Sequence, residues 1–203
     1  MEKYFNLEDI QLMIEKIKAA FENFIHKGQV FPSSKYLVHK MISKINYNKN
    51  IKILQLGFGT GIFSIEMLQK MNPKSQLVVF EIRKECKQHY NKIHDDRLVY
   101  IEDSAENIEK YFKDETFDYI VSTLPFANLS DAVKNNIYIQ IKKHLDLRWK
   151  YLQYQYSLHS KNDITNLFKK TPKIYFTLLN LPPAFIYESE NNSLLQPKLY
   201  WKW

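Results

Sequence analysis

Four glycines in 203 residues leave this chain few places to make a left-handed turn, and three of the four stand within five positions, at Gly57, Gly59 and Gly61. Average usage would give a chain of this length about 14 glycines. The cluster directly follows the apolar run Ile51-Lys52-Ile53-Leu54-Gln55-Leu56 and directly precedes Ile62-Phe63-Ser64-Ile65-Glu66-Met67-Leu68. A glycine-rich turn from strand to helix lets the backbone approach a ligand closely and aims main-chain amides at it. A plain tight turn would need only one glycine. The order Gly57-Phe58-Gly59-Thr60-Gly61 followed by Ile62 fits neither the dinucleotide fingerprint G-x-G-x-x-G nor the phosphate loop G-x-x-x-x-G-K-S/T.

Around this loop the chain alternates β-rich runs with helical patterns. Strands are expected at Ile51–Leu56, Gln76–Ile82, Leu98–Glu102, Tyr119–Ser122 and Tyr151–Tyr156, with helices starting near Ile62, Lys84, Ala105 and Asp131. That alternation predicts an α/β fold with a parallel sheet and crossover helices. At the end of the chain, Lys173–Leu179 and Ala184–Glu188 are joined by Asn180-Leu181-Pro182-Pro183, which leaves no room for a helix, so an antiparallel hairpin is expected. Ahead of the sheet, apolar residues at 10, 13, 14, 17, 20, 21, 24 and 25 follow helical spacing. A second helix should run from Ser34 to about Ile45, capped by Ser33 or Ser34. The chain thus reads as N-terminal helices over 1–46 and one sheet domain over 47–203.

Composition narrows the function classes. The longest apolar stretch, Ile174 to Tyr187, is broken by Asn180, Pro182 and Pro183, whereas a spanning helix needs about 20 apolar residues. The N-terminus lacks an export signal's apolar core, and the single cysteine, Cys86, permits no internal disulfide or multi-cysteine zinc site. A cytoplasmic protein is expected, peripheral on the inner face of the cell membrane if it meets lipid. The histidines at 39, 89, 94, 144 and 159 have no metal-ligand spacing, so no metal is expected. A net charge of +7 favours phosphate-bearing partners, but with only Arg83, Arg97 and Arg148 as arginines the case for nucleic acid is weak. A Lys, Asn and Ile excess of this kind also follows from biased base composition.

Leu56-Gly57-Phe58-Gly59-Thr60-Gly61 resembles motif I of class I S-adenosylmethionine-dependent methyltransferases. The resemblance implies a Rossmann-like, seven-stranded sheet and S-adenosylmethionine as cofactor. That family usually has an acidic residue where this chain has Gln55. Gln55 can hydrogen-bond to the cofactor without supplying a negative charge. Glu81, at the end of the second strand, can accept from ribose hydroxyls, as the acidic residue of a dinucleotide fold does. The family resemblance also places Asp103 near the adenine amino group, with Ala105 near the ring. The expected cofactor set is Gln55, Gly57, Phe58, Gly59, Thr60, Gly61, Glu81, Ile82, Asp103, Ser104, Ala105 and Ser122.

On the acceptor side, Ser122-Thr123-Leu124-Pro125-Phe126 has Thr123 where methyltransferases acting on exocyclic base amines begin with Asn or Asp. Without a carboxamide or carboxylate there, adenine or cytosine is a disfavoured target. The chain also resembles bacterial phospholipid N-methyltransferases, at Phe31-Pro32-Ser33-Ser34, the glycine loop, Ser122-Thr123-Leu124-Pro125-Phe126 and Leu181-Pro182-Pro183-Ala184. Part of that family's fifth-strand tyrosine run is matched by Gln153-Tyr154-Gln155-Tyr156, but its glycines are missing: Ser157 follows the second tyrosine, and Asp146-Leu147-Arg148 has no neighbouring glycine. The resemblance implies methyl transfer to an amine-bearing phospholipid such as phosphatidylethanolamine, with Thr123, Tyr154 and Tyr156 positioning the acceptor. Tyr154 and Tyr156 alternate on one strand and so share a face, suited either to holding an ammonium by cation–π attraction or to packing in the core. Helix 10–25, with Lys16, Lys18 and the nearby Lys27, reads equally as a membrane-contacting lid or as a helix packed on the core. The terminal Tyr200-Trp201-Lys202-Trp203 reads as an interfacial anchor or as an aromatic cover for the sheet. An rRNA adenine dimethyltransferase and a non-catalytic cofactor-binding scaffold are the alternative readings.

Overall fold

A computed structural model of the chain describes residues 33–191. The expected helix at 10–25 and the aromatic run at 200–203 lie outside the described residues. The first described element, α1 (Lys35–Ile42), starts where the Ser34 hydroxyl accepts from the Leu37 amide, and it turns Leu37, Val38, Met41 and Ile42 into the core.

From there the strands are β1 (Lys52–Leu56), β2 (Gln76–Phe80), β3 (Leu98–Ile101), β4 (Phe117–Ser122), β5 (Leu145–Gln155), β6 (Lys173–Thr177) and β7 (Ala184–Glu190). The helices are α2 (Ile62–Leu68), α3 (Lys87–Tyr90), α4 (Ile108–Phe112), α5 (Asp131–Lys143) and α6 (Ser160–Phe168), with short 3-10 turns before α3, α4 and α5. One seven-stranded sheet has the order β3-β2-β1-β4-β5-β7-β6. Strands β1 to β5 are parallel, and β7 pairs antiparallel with both β5 and β6. The Rossmann-like sheet and the closing hairpin are therefore as expected.

Alternation along the strands divides the core between two faces, as a sheet covered on both sides requires. Ile53, Leu77, Val79, Val121 and Leu152 pack with α1 and α2 on one face. Leu54, Leu56, Val78, Phe80, Ile120 and Tyr151 pack with Ile108, Ile137, Ile141 and Ile164 of α4, α5 and α6 on the other.

Several boundaries differ from the expectation. Strand β2 ends at Phe80 and β3 at Ile101, because Glu81 to Arg83 and Glu102 to Ser104 turn away at the rim. Strand β5 begins at Leu145, six residues earlier than expected, its start hidden by an irregular register in which Phe117 pairs with Leu145 but Tyr119 with Lys150. Helix α6 was not expected at all; of its residues only Ser160 and Ile164 are buried, too few to leave a clear periodic signal.

Candidate functional site

The parallel strands all end at one rim of the sheet, and there the chain places the glycine loop, Glu81, the turn at Asp103, the Thr123 loop, Tyr154 near the end of β5 and Tyr156, which was expected in that strand but lies just beyond it. In a parallel sheet with crossover helices this edge is where ligands bind.

The loop needs its glycines. Gly57, Gly59 and Gly61 have φ of +87°, +59° and +81°. A Cβ on Gly57 would stand 2.7 Å from the Thr123 hydroxyl oxygen, and one on Gly61 2.7 Å from the Phe58 ring. Phe58 is buried, edge-on to Tyr90 and Tyr100, and so locks the loop onto α3 and β3. Thr60 lies in the turn that the Gly61 amide closes on the Phe58 carbonyl at 3.0 Å.

Side chains on β1 and just past the ends of β2 and β4 hold this loop. Gln55 is fully buried; its Nε2 donates to the Gly57 carbonyl at 2.6 Å and its Oε1 accepts from the Ser64 hydroxyl at 2.7 Å. Thr123 Oγ1 donates to the same Gly57 carbonyl at 2.9 Å and lies 3.2 Å from the Leu56 carbonyl. The structure thus turns both residues toward the loop backbone. Glu81, 4% exposed, accepts from the Phe58 and Gly59 amides at 2.9 and 3.0 Å through Oε2, and from the Arg83 amide at 3.0 Å through Oε1. Burial pushes its pKa up, but the Arg83 guanidinium and the Gly59 and Arg83 amides outweigh that, and the carboxyl lies below its ordinary value. Glu81 is ionised. Immediately beside it Ile82 is 67% exposed, an apolar side chain open at the rim.

At the end of β3 the Asp103 carboxylate is committed to its own turn. It accepts from the Ser104 amide at 2.7 Å, Asn107 Nδ2 at 2.8 Å and the Tyr111 hydroxyl at 2.8 Å, with Lys110 at 3.3 Å. Asn107, Tyr111, the Ser104 amide and Lys110 hold its pKa well below the usual carboxylate range, against a small upward effect of burial. Ser104 caps the following turn by accepting from the Glu106 amide, and Ala105 is buried beneath it. Ser122 is fully buried, with its hydroxyl 3.4 Å from the Leu124 amide. Gln155 Nε2 holds the Leu124 carbonyl at 2.8 Å, and Phe126 stacks on Tyr138 at 4.9 Å, so the acceptor-side loop is fastened from both sides.

Tyr154 and Tyr156 meet, with ring centroids 5.7 Å apart and planes at 71°. Tyr154 also stacks on Phe63 at 5.9 Å and accepts from the Ser33 hydroxyl at 3.2 Å. Burial, helped by Tyr154 beside it, pushes the Tyr156 hydroxyl far above its ordinary pKa. It stays neutral and cannot serve as an anionic base. Two residues of this rim carried no functional signal in the sequence. Arg83 pairs with Glu81, and Asn180, buried in the β6–β7 turn, accepts from the Ser34 amide at 2.8 Å and donates to the Pro182 carbonyl at 2.7 Å. Cys86 is buried near Glu81, and burial followed by the Glu81 charge pushes its thiol up to about 11. Among the described residues no group of three or more His, Cys, Asp or Glu side chains could hold a metal ion.

Residues 53–146 match the family described as the methyltransferase domain. Solved structures share the fold at low identity. A SAM-dependent methyltransferase from Aquifex aeolicus has a TM-score of 0.60 and 12% identity over 76% of this chain and 89% of its own. The N-methyltransferase NodS from Bradyrhizobium japonicum, solved with S-adenosyl-L-homocysteine, has a TM-score of 0.58 and 11% identity over 77% and 84%. A Burkholderia thailandensis 1,6-didemethyltoxoflavin-N1-methyltransferase has a TM-score of 0.61 and 8% identity over 94% and 93%. The family match runs from β1 to the start of β5 and takes in the glycine loop, and the seven-stranded fold is that of S-adenosylmethionine-dependent methyltransferases.

Proposed function

We propose that this domain methylates an amine, and that the amine is the head group of a phospholipid such as phosphatidylethanolamine. The paired rings of Tyr154 and Tyr156 at the end of β5 carry the reading: Tyr154 is buried in the core against Phe63 and Tyr156 is partly buried beside it, and neutral aromatic rings at this rim attract an ammonium group yet offer no base-specific hydrogen bonds. Thr123 supports it. Its hydroxyl proton is engaged with the loop carbonyls, and the position has no carboxamide or carboxylate with which to read a planar base amine. The resemblance to phospholipid N-methyltransferases at Ser33-Ser34, Thr123-Leu124-Pro125-Phe126 and Leu181-Pro182-Pro183-Ala184 points the same way.

The rim fits the cofactor: a loop with three glycines at positive φ follows β1, an ionised carboxylate stands at the end of β2, and an apolar side chain is exposed next to it. In this reading Glu81 accepts from ribose hydroxyls, Ile82 and Ala105 flank the adenine, and Phe58 to Gly61 cradle the aminoacyl end. Asp103 shapes the turn that carries Ser104 and Ala105. When bound, S-adenosylmethionine supplies an electrophilic methyl whose sulfonium charge is lost on transfer. The chain's part is positioning: the head-group ammonium first loses a proton to solvent, the neutral amine is then held in line so that its lone pair takes the methyl as the sulfur–methyl bond breaks, and the methylated ammonium that results is the cation the tyrosine rings favour. Incubation with methyl-labelled cofactor and separate pools of phosphatidylethanolamine vesicles, RNA and protein tests this. Label should enter the lipid extract; label in RNA or protein with none in lipid would overturn the acceptor assignment.

A further inference from the structure

Strand β6 runs in the same direction as β5, since both are antiparallel to β7, so the turn after Thr177 lies at the rim that carries the cofactor loop. In that turn Leu178, Leu179 and Leu181 are 71%, 62% and 67% exposed. Phe176 and Tyr36 extend the apolar surface, each about half exposed. Lys40 joins them, its Nζ donating to the Phe176 carbonyl at 2.8 Å and lying 5.8 Å from the Tyr36 ring centre. A contiguous apolar patch of this kind marks an interaction surface.

Beneath the leucines several polar groups of the turn are paired. Ser34 Oγ donates to the Leu179 carbonyl at 2.6 Å, the Leu179 amide donates to Thr177 Oγ1 at 3.3 Å, and Asn180 is clamped between Ser34 and Pro182. The loop is therefore a fixed apolar tip that can leave water without stranding these groups. Its surroundings are basic. Lys35 is exposed beside Tyr36, Lys40 bonds to Phe176, and Lys44 lies 3.9 Å over the ring of Tyr175, the residue before Phe176. Among the described residues, none of the hydrogen-bond partners of 176–182 is acidic. Leucines at the tip and lysines behind it match the acyl boundary and the phosphates of an anionic bilayer.

We propose that the β6–β7 turn is a membrane-docking tip, which inserts Leu178, Leu179 and Leu181 into an anionic phospholipid surface and so presents the cofactor rim to head groups. The proposal rests on the lipid-acceptor reading for its purpose; the docking itself needs no amine. Co-sedimentation of the full chain with vesicles of phosphatidylglycerol and phosphatidylcholine, which contain no transferable amine, separates the two. Wild type should bind, and Leu178→Ser/Leu179→Ser/Leu181→Ser should bind at least 100-fold more weakly, while Lys35→Gln should cost about fivefold at low salt, on the scale of roughly 1 kcal/mol per lysine. Affinity for S-adenosylhomocysteine and the melting temperature should not change. Leu178→Ser alone, at the most exposed of the three, should cost about tenfold and keeps the test valid should the triple variant misfold. Failure of wild type to bind, or equal binding by the leucine variants, would overturn the docking tip even if lipid amines are methylated. Leucine-dependent binding without any lipid methylation would leave the tip standing and overturn the acceptor.

Discussion

Gly57→Ala is the smallest change that should break the cofactor loop, and its cost can be divided into parts. At φ +87° an L-residue pays about 1–2 kcal/mol of backbone strain. The added Cβ would also stand 2.7 Å from Thr123 Oγ1 and 3.3 Å from Leu124 Cδ2. Thr123 cannot rotate aside freely, because the same oxygen donates to the Gly57 carbonyl at 2.9 Å. Overpacking of this kind adds about 1–3 kcal/mol, so the total should be about 2–5 kcal/mol. Thr123→Ala alone loses one hydrogen bond, about 0.5–1.5 kcal/mol. In the double variant the clash with the hydroxyl is gone and mainly the backbone strain remains. The two substitutions should therefore be less than additive, by about 1–3 kcal/mol. Urea unfolding followed by circular dichroism measures this, provided the slope is unchanged between variants. Gly61→Ala is the control, since its Cβ would meet the Phe58 ring at 2.7 Å and Thr123→Ala should not relieve it. Additivity of Gly57→Ala and Thr123→Ala within about 0.5 kcal/mol, or a Gly57→Ala protein as stable as wild type, would refute the proposed contact.

Glu81→Ala should weaken binding of S-adenosylhomocysteine by about 1.5–3 kcal/mol in calorimetry, the scale of hydrogen bonds to a charged group, and Glu81→Gln, which keeps one acceptor oxygen, should lose less; an unchanged dissociation constant would leave Glu81 only the task of holding the Phe58 and Gly59 amides. The depressed pKa of Asp103 means that its contribution to stability is full above its unfolded value of about 3.9 and is lost as pH falls toward the lower folded value. Thermal melting should therefore fall more steeply on acidification below about pH 4 in wild type than in Asp103→Asn; parallel acid limbs would show that the carboxylate is not held as the structure shows.

The sequence features that carried through were those written in local chemistry. Three glycines between an apolar strand and an amphipathic helix could hardly be anything but a ligand loop, and the hairpin followed from a four-residue connection too short for a helix. What stayed hidden depended on partners distant in sequence. Gln55 was expected to face the cofactor, but its partners are Ser64, nine residues on, and the carbonyl of Gly57. Asp103 was expected at the adenine, and nothing in the local pattern signals that Asn107, Lys110 and Tyr111 on the following turn and helix surround it. Strand β5 was read from Tyr151 because Leu147 and Arg148 are exposed, which broke the apolar pattern at its start. The exposure of Leu178, Leu179 and Leu181 was illegible too, since an apolar run of that kind reads equally as a buried strand.

The two departures from the usual motifs, Gln55 and Thr123, prove to be linked through one atom. The Gly57 carbonyl accepts from Gln55 Nε2 on β1 and from Thr123 Oγ1 after β4, while the Gly57 amide donates to the Phe80 carbonyl of β2. A carboxylate at position 55 would place a second acceptor against that carbonyl at 2.6 Å, a repulsion in a site with no water access. Only a side chain with a donor can stand there, and an amide also keeps an acceptor for the Ser64 hydroxyl. The loop is thus tied to three adjacent strands by the protein's own groups, so a ligand meets it already shaped and binding is spared part of the ordering cost. The same arrangement moves the negative charge. With Gln55 neutral, the ionised group touching the loop is Glu81, fixed by the Phe58 and Gly59 amides at the end of β2. A carboxylate at the end of β2 thus takes part in shaping the loop that a neutral Gln55 holds from β1.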